Sequence, residues 1–373
     1  MLKHTSLYFS LSAITLSAWP VMAADDMPFN LGGHIRVNYG HRDWQAPAIR
    51  DGFEFESLKL TIDGEFDDFS YKADYRWYEN TDFNTVRYAD LTYHYDEYLD
   101  VTAGITKVPF GLQPFASNSF WFSGNYYLGF EDDYDAGVVA KYERRNWTVH
   151  AAYFLNDEYN DAAKFGRYSF DVADDAEYRN QEDGQYNLRV NYAAHIIPRT
   201  TTDVGVSFQQ GDIFNFDTQD EGDMTAYAVH LRHSQDPIKI ELQYLDYDYD
   251  LAAPEGQLTD RLAMSSFEAP FLMASAGKSY MANLVYTLPV SFRSVSDIKC
   301  YSEYTLIEPD VENGRDSTQW VNGCSFGWSK LFVYIDSIQG KNMWFSGGSG
   351  IGLDFADDPQ STHRLNISMG IYF

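Results

Sequence analysis

The residues of this chain that could do chemistry are its carboxylates, cysteines and histidines, and their spacing limits what that chemistry is. Asp246, Asp248 and Asp250 alternate with Tyr247 and Tyr249, so on an extended chain the three carboxylates share one face at ~6.6–7 Å intervals. Hard oxygen ligands of this kind suit Ca²⁺ or Mg²⁺ at an acidic rim, and a solvated rim with no ion accounts for the same pattern. Cys300 and Cys324 flank a segment containing Asn313-Gly314. Antiparallel pairing about that turn sets the two thiols opposite one another, within disulfide reach. Histidines such as His34, His150 and His363 are scattered singly, and His230 and His233 fall on opposite faces of a strand. With no Gly-x-Ser-x-Gly element either, the sequence reads as a non-enzyme without a cofactor beyond an ion at the acidic rim.

Composition excludes further classes. The 373 residues include 55 Asp plus Glu against 27 Lys plus Arg, a net charge of −28. A nucleic-acid partner is excluded, because phosphate contacts need clustered Lys and Arg. Lys3, the apolar stretch Leu7 to Val21 and Val21-Met22-Ala23 predict a secretory signal peptide over 1–23, with an exported domain over 24–373. Beyond it no apolar run approaches the ~18–20 residues of a membrane-spanning helix.

The elements that must position these residues alternate apolar and polar side chains at period two. Leu365, Ile367, Met369, Ile371 and Phe373 alternate with Arg364, Asn366, Ser368, Gly370 and Tyr372. Such segments cover 31–41, 53–65, 69–78, 86–95, 99–107, 135–145, 147–155, 185–194, 201–210, 223–233, 238–249, 278–288, 297–307, 319–329, 331–339 and 362–373. Long links follow the odd-numbered segments, while the even-numbered ones are followed by tight turns such as Asp67-Asp68 and Arg145-Asn146. This asymmetry predicts an all-β, sixteen-stranded antiparallel transmembrane β-barrel in a Gram-negative outer membrane, with long extracellular loops and short periplasmic turns. Lipid offers the backbone no partner, so only a closed ladder survives there. Trp77, Tyr93, Tyr95, Trp147, Tyr153, Tyr247, Tyr249 and Trp320 lie near strand ends, where interfacial girdles belong.

Two stretches resemble the phosphate-selective porin O and P family. One is Phe55-Glu56-Ser57-Leu58-Lys59-Leu60-Thr61-Ile62-Asp63-Gly64; the other is Leu99 to Ala116, whose core, Val101 to Leu112, ends Lys107-Val108-Pro109-Phe110-Gly111-Leu112. The resemblance implies a homotrimer, and a third long loop, 108–134, that folds into the lumen as a constriction. Pro109, Phe110, Gly111, Phe120, Trp121, Glu131, Asp132 and Asp133 are its notable residues. Phe373 resembles the terminal signal that outer-membrane proteins offer to the barrel-assembly machinery. Where the family carries basic residues, this chain has Glu56 and Ser57, so an arginine ladder for phosphate is not evident.

With the apolar residues facing lipid, the phase sends Arg36, Lys59, Lys72, Asp74, Arg76, Asp90, Lys107, Arg189 and Arg232 into the lumen. Carboxylates crowd the long loops, 158–183 above all, and an acidic mouth raises the local cation concentration. The expectation is a water-filled porin for passive diffusion of ions and small hydrophilic solutes, weakly cation-preferring or non-selective. The alternatives are an anion- or phosphate-selective channel, and a plugged structural or adhesin barrel. Its surroundings would be the lipid bilayer and lipopolysaccharide, whose phosphates an ion at the acidic rim would bridge.

Overall fold

Extended chain with alternating side chains has only one way to satisfy every backbone group inside lipid, which is to close the sheet on itself. In the computed structural model, residues 29–194, 200–289, 294–348, 350–353 and 360–373 are described. The predicted signal peptide, 1–23, and the first residues of the domain after it lie outside them. Sixteen strands form the barrel. The first eight are β1 (Phe29–Arg42), β2 (Asp51–Phe66), β3 (Phe69–Tyr78), β4 (Phe83–His94), β5 (Leu99–Lys107), β6 (Tyr134–Arg144), β7 (Trp147–Asp157) and β8 (Asn180–Ala194). The rest are β9 (Thr200–Asn215), β10 (Glu221–Gln235), β11 (Ile238–Asp250), β12 (Ala276–Thr287), β13 (Val295–Pro309), β14 (Ser317–Trp328), β15 (Leu331–Lys341) and β16 (Ser361–Tyr372). Each strand pairs antiparallel with the next, and β16 pairs with β1, Ile371 opposite Ile35. Phe373 completes the seam, its backbone exchanging hydrogen bonds with Gly33 at 2.9 and 3.2 Å.

The two faces have opposite chemistry. Leu31, Val206, Val229 and Leu284 are exposed on the outside, whereas Ser207, Gln209, Asn283, Glu303 and Asn366 are buried within. A water-soluble sandwich would show the reverse. The outer face suits hydrocarbon, which places the barrel in a bilayer. Cys300 and Cys324 lie opposite one another on β13 and β14, joined by a disulfide.

Long loops at one end fold inward. A second, four-stranded sheet forms from Asp171–Val172, Arg261–Ser265, Phe271–Ala274 and Gly350–Ile351. Its Leu262, Met264, Met273 and Ile351 pack with Tyr126, Leu128 and Phe130 of the loop between β5 and β6, and with the inner faces of Phe154, Ile213, Leu245 and Ile307. An apolar core thus occupies part of that end of the lumen. Two expectations change as a result. Tyr247 and Tyr249, assigned to the outer girdle, are 1% and 4% exposed and point inward, because the apolar medium at this level is inside the barrel. Trp77, Tyr93, Tyr95, Trp147, Tyr153 and Trp320 are exposed outside.

Candidate functional site

The loop between β5 and β6 crosses the lumen, and polar side chains of the far wall hold its backbone. Gly111 N donates to Ser207 Oγ at 3.0 Å, Leu112 N to Gln243 Oε1 at 2.8 Å and Gly124 N to Thr305 Oγ1 at 3.1 Å. Glu303 receives the Asn118 and Ser119 amides, and Asp336 that of Phe120. The carbonyls are met as well: Arg189 donates to Gly111 O at 2.8 Å, and Arg232 to Gln113 O and Phe115 O at 2.6 and 2.8 Å. Gly111 has φ +56°, and a Cβ there would lie 2.6 Å from Gln243 Oε1. Glycine therefore suits this turn, since a side chain would displace the Gln243 amide that holds Leu112 N.

What the loop leaves open is a cavity of about 1070 Å³ against β1–β4 and β16. Arg36, Arg42, Lys59, Arg76, Arg87 and Arg364 line it with Glu54 and Glu56, interleaved with aromatic rings including Phe115, Phe120, Trp121 and Tyr126. The cations lie over rings: Arg36 is 4.8 Å from the centroid of Phe120, Arg76 4.7 Å from that of Tyr168 and Arg364 4.1 Å from that of Trp121. Arg36 is also clamped by Glu56, and Arg76 is bidentate to Asp74 at 2.9 Å.

The residues assigned to the lumen by phase separate into three groups. Arg36, Lys59 and Arg76 line the cavity, with Asp74 fully buried behind them. Lys72 pairs with Asp90 at 3.7 Å and Lys107 with Asp132 at 2.7 Å. Arg189 and Arg232 are occupied as loop anchors. Within the loop, Phe110 packs on Phe130 at 5.3 Å and Trp121 stacks on Phe345 at 5.6 Å. Glu131 accepts from Ser117 N and Ser123 Oγ at 2.8 and 2.5 Å.

Strict alternation missed Arg87 and the role of Glu56, because both sit at β-bulges. The β3–β4 register slips so that Tyr88 faces Asp74 and Val86 faces Tyr75, leaving Arg87 unpaired between them and turned inward. Glu56 is skipped likewise between Ser57 and Phe55 opposite β1. Arg364 lies in the polar phase of the last strand and was legible there. Asp246, Asp248 and Asp250 share the outer face of β11, where Asp246 accepts from Tyr244 at 2.7 Å. Among the described residues, the carboxylates that converge closely are instead Asp133, Asp135 and Asp171.

Comparison with known proteins agrees with this geometry. The family model for the phosphate-selective porin O and P matches residues 29–260. The chain belongs to that family. Similar folds include the outer-membrane channel DcaP of Acinetobacter baumannii, at TM-score 0.61 and 10% identity, covering 93% of this chain and 97% of that one. An anion-selective porin from Comamonas acidovorans aligns at TM-score 0.57 and 11% identity, over 93% and 100% of the two chains. OmpT of Vibrio cholerae in its trimer form gives TM-score 0.57 and 13% identity, over 94% and 100%. Among curated protein sequences none matches. This porin O and P member is therefore an outer-membrane channel of a Gram-negative bacterium, and the cavity between the loop after β5 and β1–β4 is its candidate eyelet.

Proposed function

We propose that this channel passes small hydrophilic solutes by passive diffusion and favours organic anions at its eyelet. The observation that carries this reading is the cavity wall, where Arg36, Arg76, Arg87 and Arg364 lie against aromatic rings. A carboxylate or phosphate head would exchange its hydration for guanidinium donors, while a flat apolar body lay against the rings. Glu56, Asp74 and Asp132 partly neutralise the cations, which keeps binding weak enough for release.

Exposed loop carboxylates such as Asp161, Glu177 and Glu255 favour the second reading, a weak cation preference or none. Screening confines their field to ~8 Å at physiological salt, whereas low-dielectric walls focus the eyelet field, so the eyelet sets the sign. The trimer form of the Vibrio neighbour supports a homotrimer here. A leader over 1–23, contacts with lipopolysaccharide and recognition of Phe373 by the assembly machinery belong to the same proposal.

Reversal potentials across planar bilayers under a salt gradient test it. The wild type is expected to prefer chloride over potassium, and Arg364→Ala to lower that preference. Benzoate is expected to interrupt chloride current more than acetate at equal concentration. A cation-selective wild-type channel rejects the reading.

A further inference from the structure

Where the constriction loop rejoins the wall, negative charge is packed beyond the reach of water. Asp133 ends the loop, Asp135 is on β6 and Asp171 opens the inner sheet. One carboxylate oxygen from each lies within 4.8 Å of the others, and the residues are 8%, 1% and 2% exposed. Glu158, also buried, accepts from the Tyr168 and Ser169 amides, and Glu182 accepts from Val172 N. Among the described residues the cation paired with this group is Arg167, which reaches Asp157 at 2.5 Å and Asp171 at 3.2 Å.

One guanidinium does not balance so many carboxylates. Asp133 Oδ1, Asp135 Oδ1 and Glu158 Oε2 are sealed from solvent with no hydrogen-bond donor. A buried anionic oxygen in that state is strongly unfavourable unless a proton or a cation joins it. Burial and the neighbouring carboxylates Glu182 and Glu158 push Asp133 well above the carboxylate range, as they do Asp171 through Glu158 and Asp133.

Ligand chemistry separates the cations. Calcium binds oxygens at ~2.3–2.6 Å, so two oxygens of one coordination sphere stand up to about 5 Å apart. Magnesium demands near-ideal octahedral geometry and dehydrates reluctantly, so a cage of protein carboxylates whose oxygens lie within 4.8 Å of one another suits calcium better. We infer that Asp133, Asp135 and Asp171, with Glu158 beside them, form a Ca²⁺ site that staples the constriction loop to the barrel wall and to the inner sheet. The site does not rest on the transport reading, and it is separate from the carboxylates on the outer face of β11.

The test uses the full barrel, folded in detergent and stripped with a chelator, titrated with CaCl₂ and separately with MgCl₂ in a calorimeter. One saturable calcium site per chain is expected, with weaker magnesium binding. Asp135→Asn and Asp171→Asn should each weaken calcium by ~10-fold or more, while the triple Asp246→Asn, Asp248→Asn, Asp250→Asn variant leaves it unchanged. Heat-modifiable gel migration reports whether each variant is folded. Should the inner variants not fold, tyrosine-sensitised Tb³⁺ emission from the wild type decides, since Tyr134 adjoins Asp133 and Asp135. Emission quenched by Ca²⁺ supports the site. No saturable calcium uptake by the wild type, or uptake lost only in the outer triple variant, overturns it.

Discussion

Asp132 is where the charge of the eyelet is balanced. Arg87 reaches its two oxygens at 2.8 and 2.7 Å, Lys107 is 2.7 Å away, and the Tyr134 and Tyr168 hydroxyls donate at 3.0 and 2.6 Å. Burial would raise its pKa, but the Arg87 and Lys107 charges hold it down at about 2. Because the folded value lies below the ordinary 3.8, the stabilisation is complete above the unfolded value and is lost as pH falls through the folded one. At neutral pH Asp132→Asn leaves two cations facing each other. It is expected to lower barrel stability by ~3–5 kcal/mol in urea titrations and to shift the reversal potential further toward anions. An unchanged unfolding midpoint would count against the pivot role. Glu131 next to it behaves oppositely, since burial lifts it to about 7. The folded loop then favours the protonated acid, so its contribution is full below the ordinary 4.5, declines as pH rises toward 7 and is flat beyond. Glu131→Gln mimics the neutral acid. The stability difference between variant and wild type is expected to grow in the variant's favour from pH 4.5 to 7.5; a pH-independent difference refutes the assignment.

The constriction loop is an element whose position was legible and whose fastening was not. Its length, its Pro109 and Gly111 bends and its aromatic run marked it in the sequence, as did the rhythm of sixteen alternating segments. Its anchors are single polar residues on strands far along the chain, and period-two phase says that Ser207 or Glu303 faces inward without saying what it meets. The inner sheet was illegible for the same reason. Its strands Arg261–Ser265 and Phe271–Ala274 lie in what reads as one long link, and they pair with Asp171–Val172 and Gly350–Ile351 from other loops. Phase slips at bulges, which hid Arg87, whereas at the loop end of β11 the alternation runs on unbroken and its polarity reverses, because the folded loops make the interior apolar and receive Tyr247 and Tyr249. Since Glu303 receives Asn118 N, Asn118 Nδ2 at 2.9 Å and Ser119 N at 3.1 Å, Glu303→Ala orphans several loop donors at about 1–3 kcal/mol each. Single-channel recordings of that variant are expected to show larger conductance and added low-frequency noise. Currents identical to the wild type would mean that the loop is held without this wall.

At the scale of the molecule, stability depends on which medium each face meets. Val206 and Ser207 are neighbours on β9, one 52% exposed on the outer face and the other 4% exposed within. Across the ladder Val206 faces Val229 and Val190, so the outer surface here is a continuous apolar patch of the kind hydrocarbon requires. Arginine on the inner face is ordinary for this chain, as Arg189 and Arg232 show, because loop carbonyls and carboxylates receive it. On the outer face nothing receives it except a distant headgroup. Val206→Arg is therefore expected to lower folding free energy in lipid vesicles by ~2–4 kcal/mol, the cost of a guanidinium near the bilayer midplane. The same substitution at Phe29, near the strand end, should cost ~0–1 kcal/mol. Equal costs at the two positions, measured by urea titration of vesicle-inserted protein, would mean that the exposed apolar belt does not face a bilayer core.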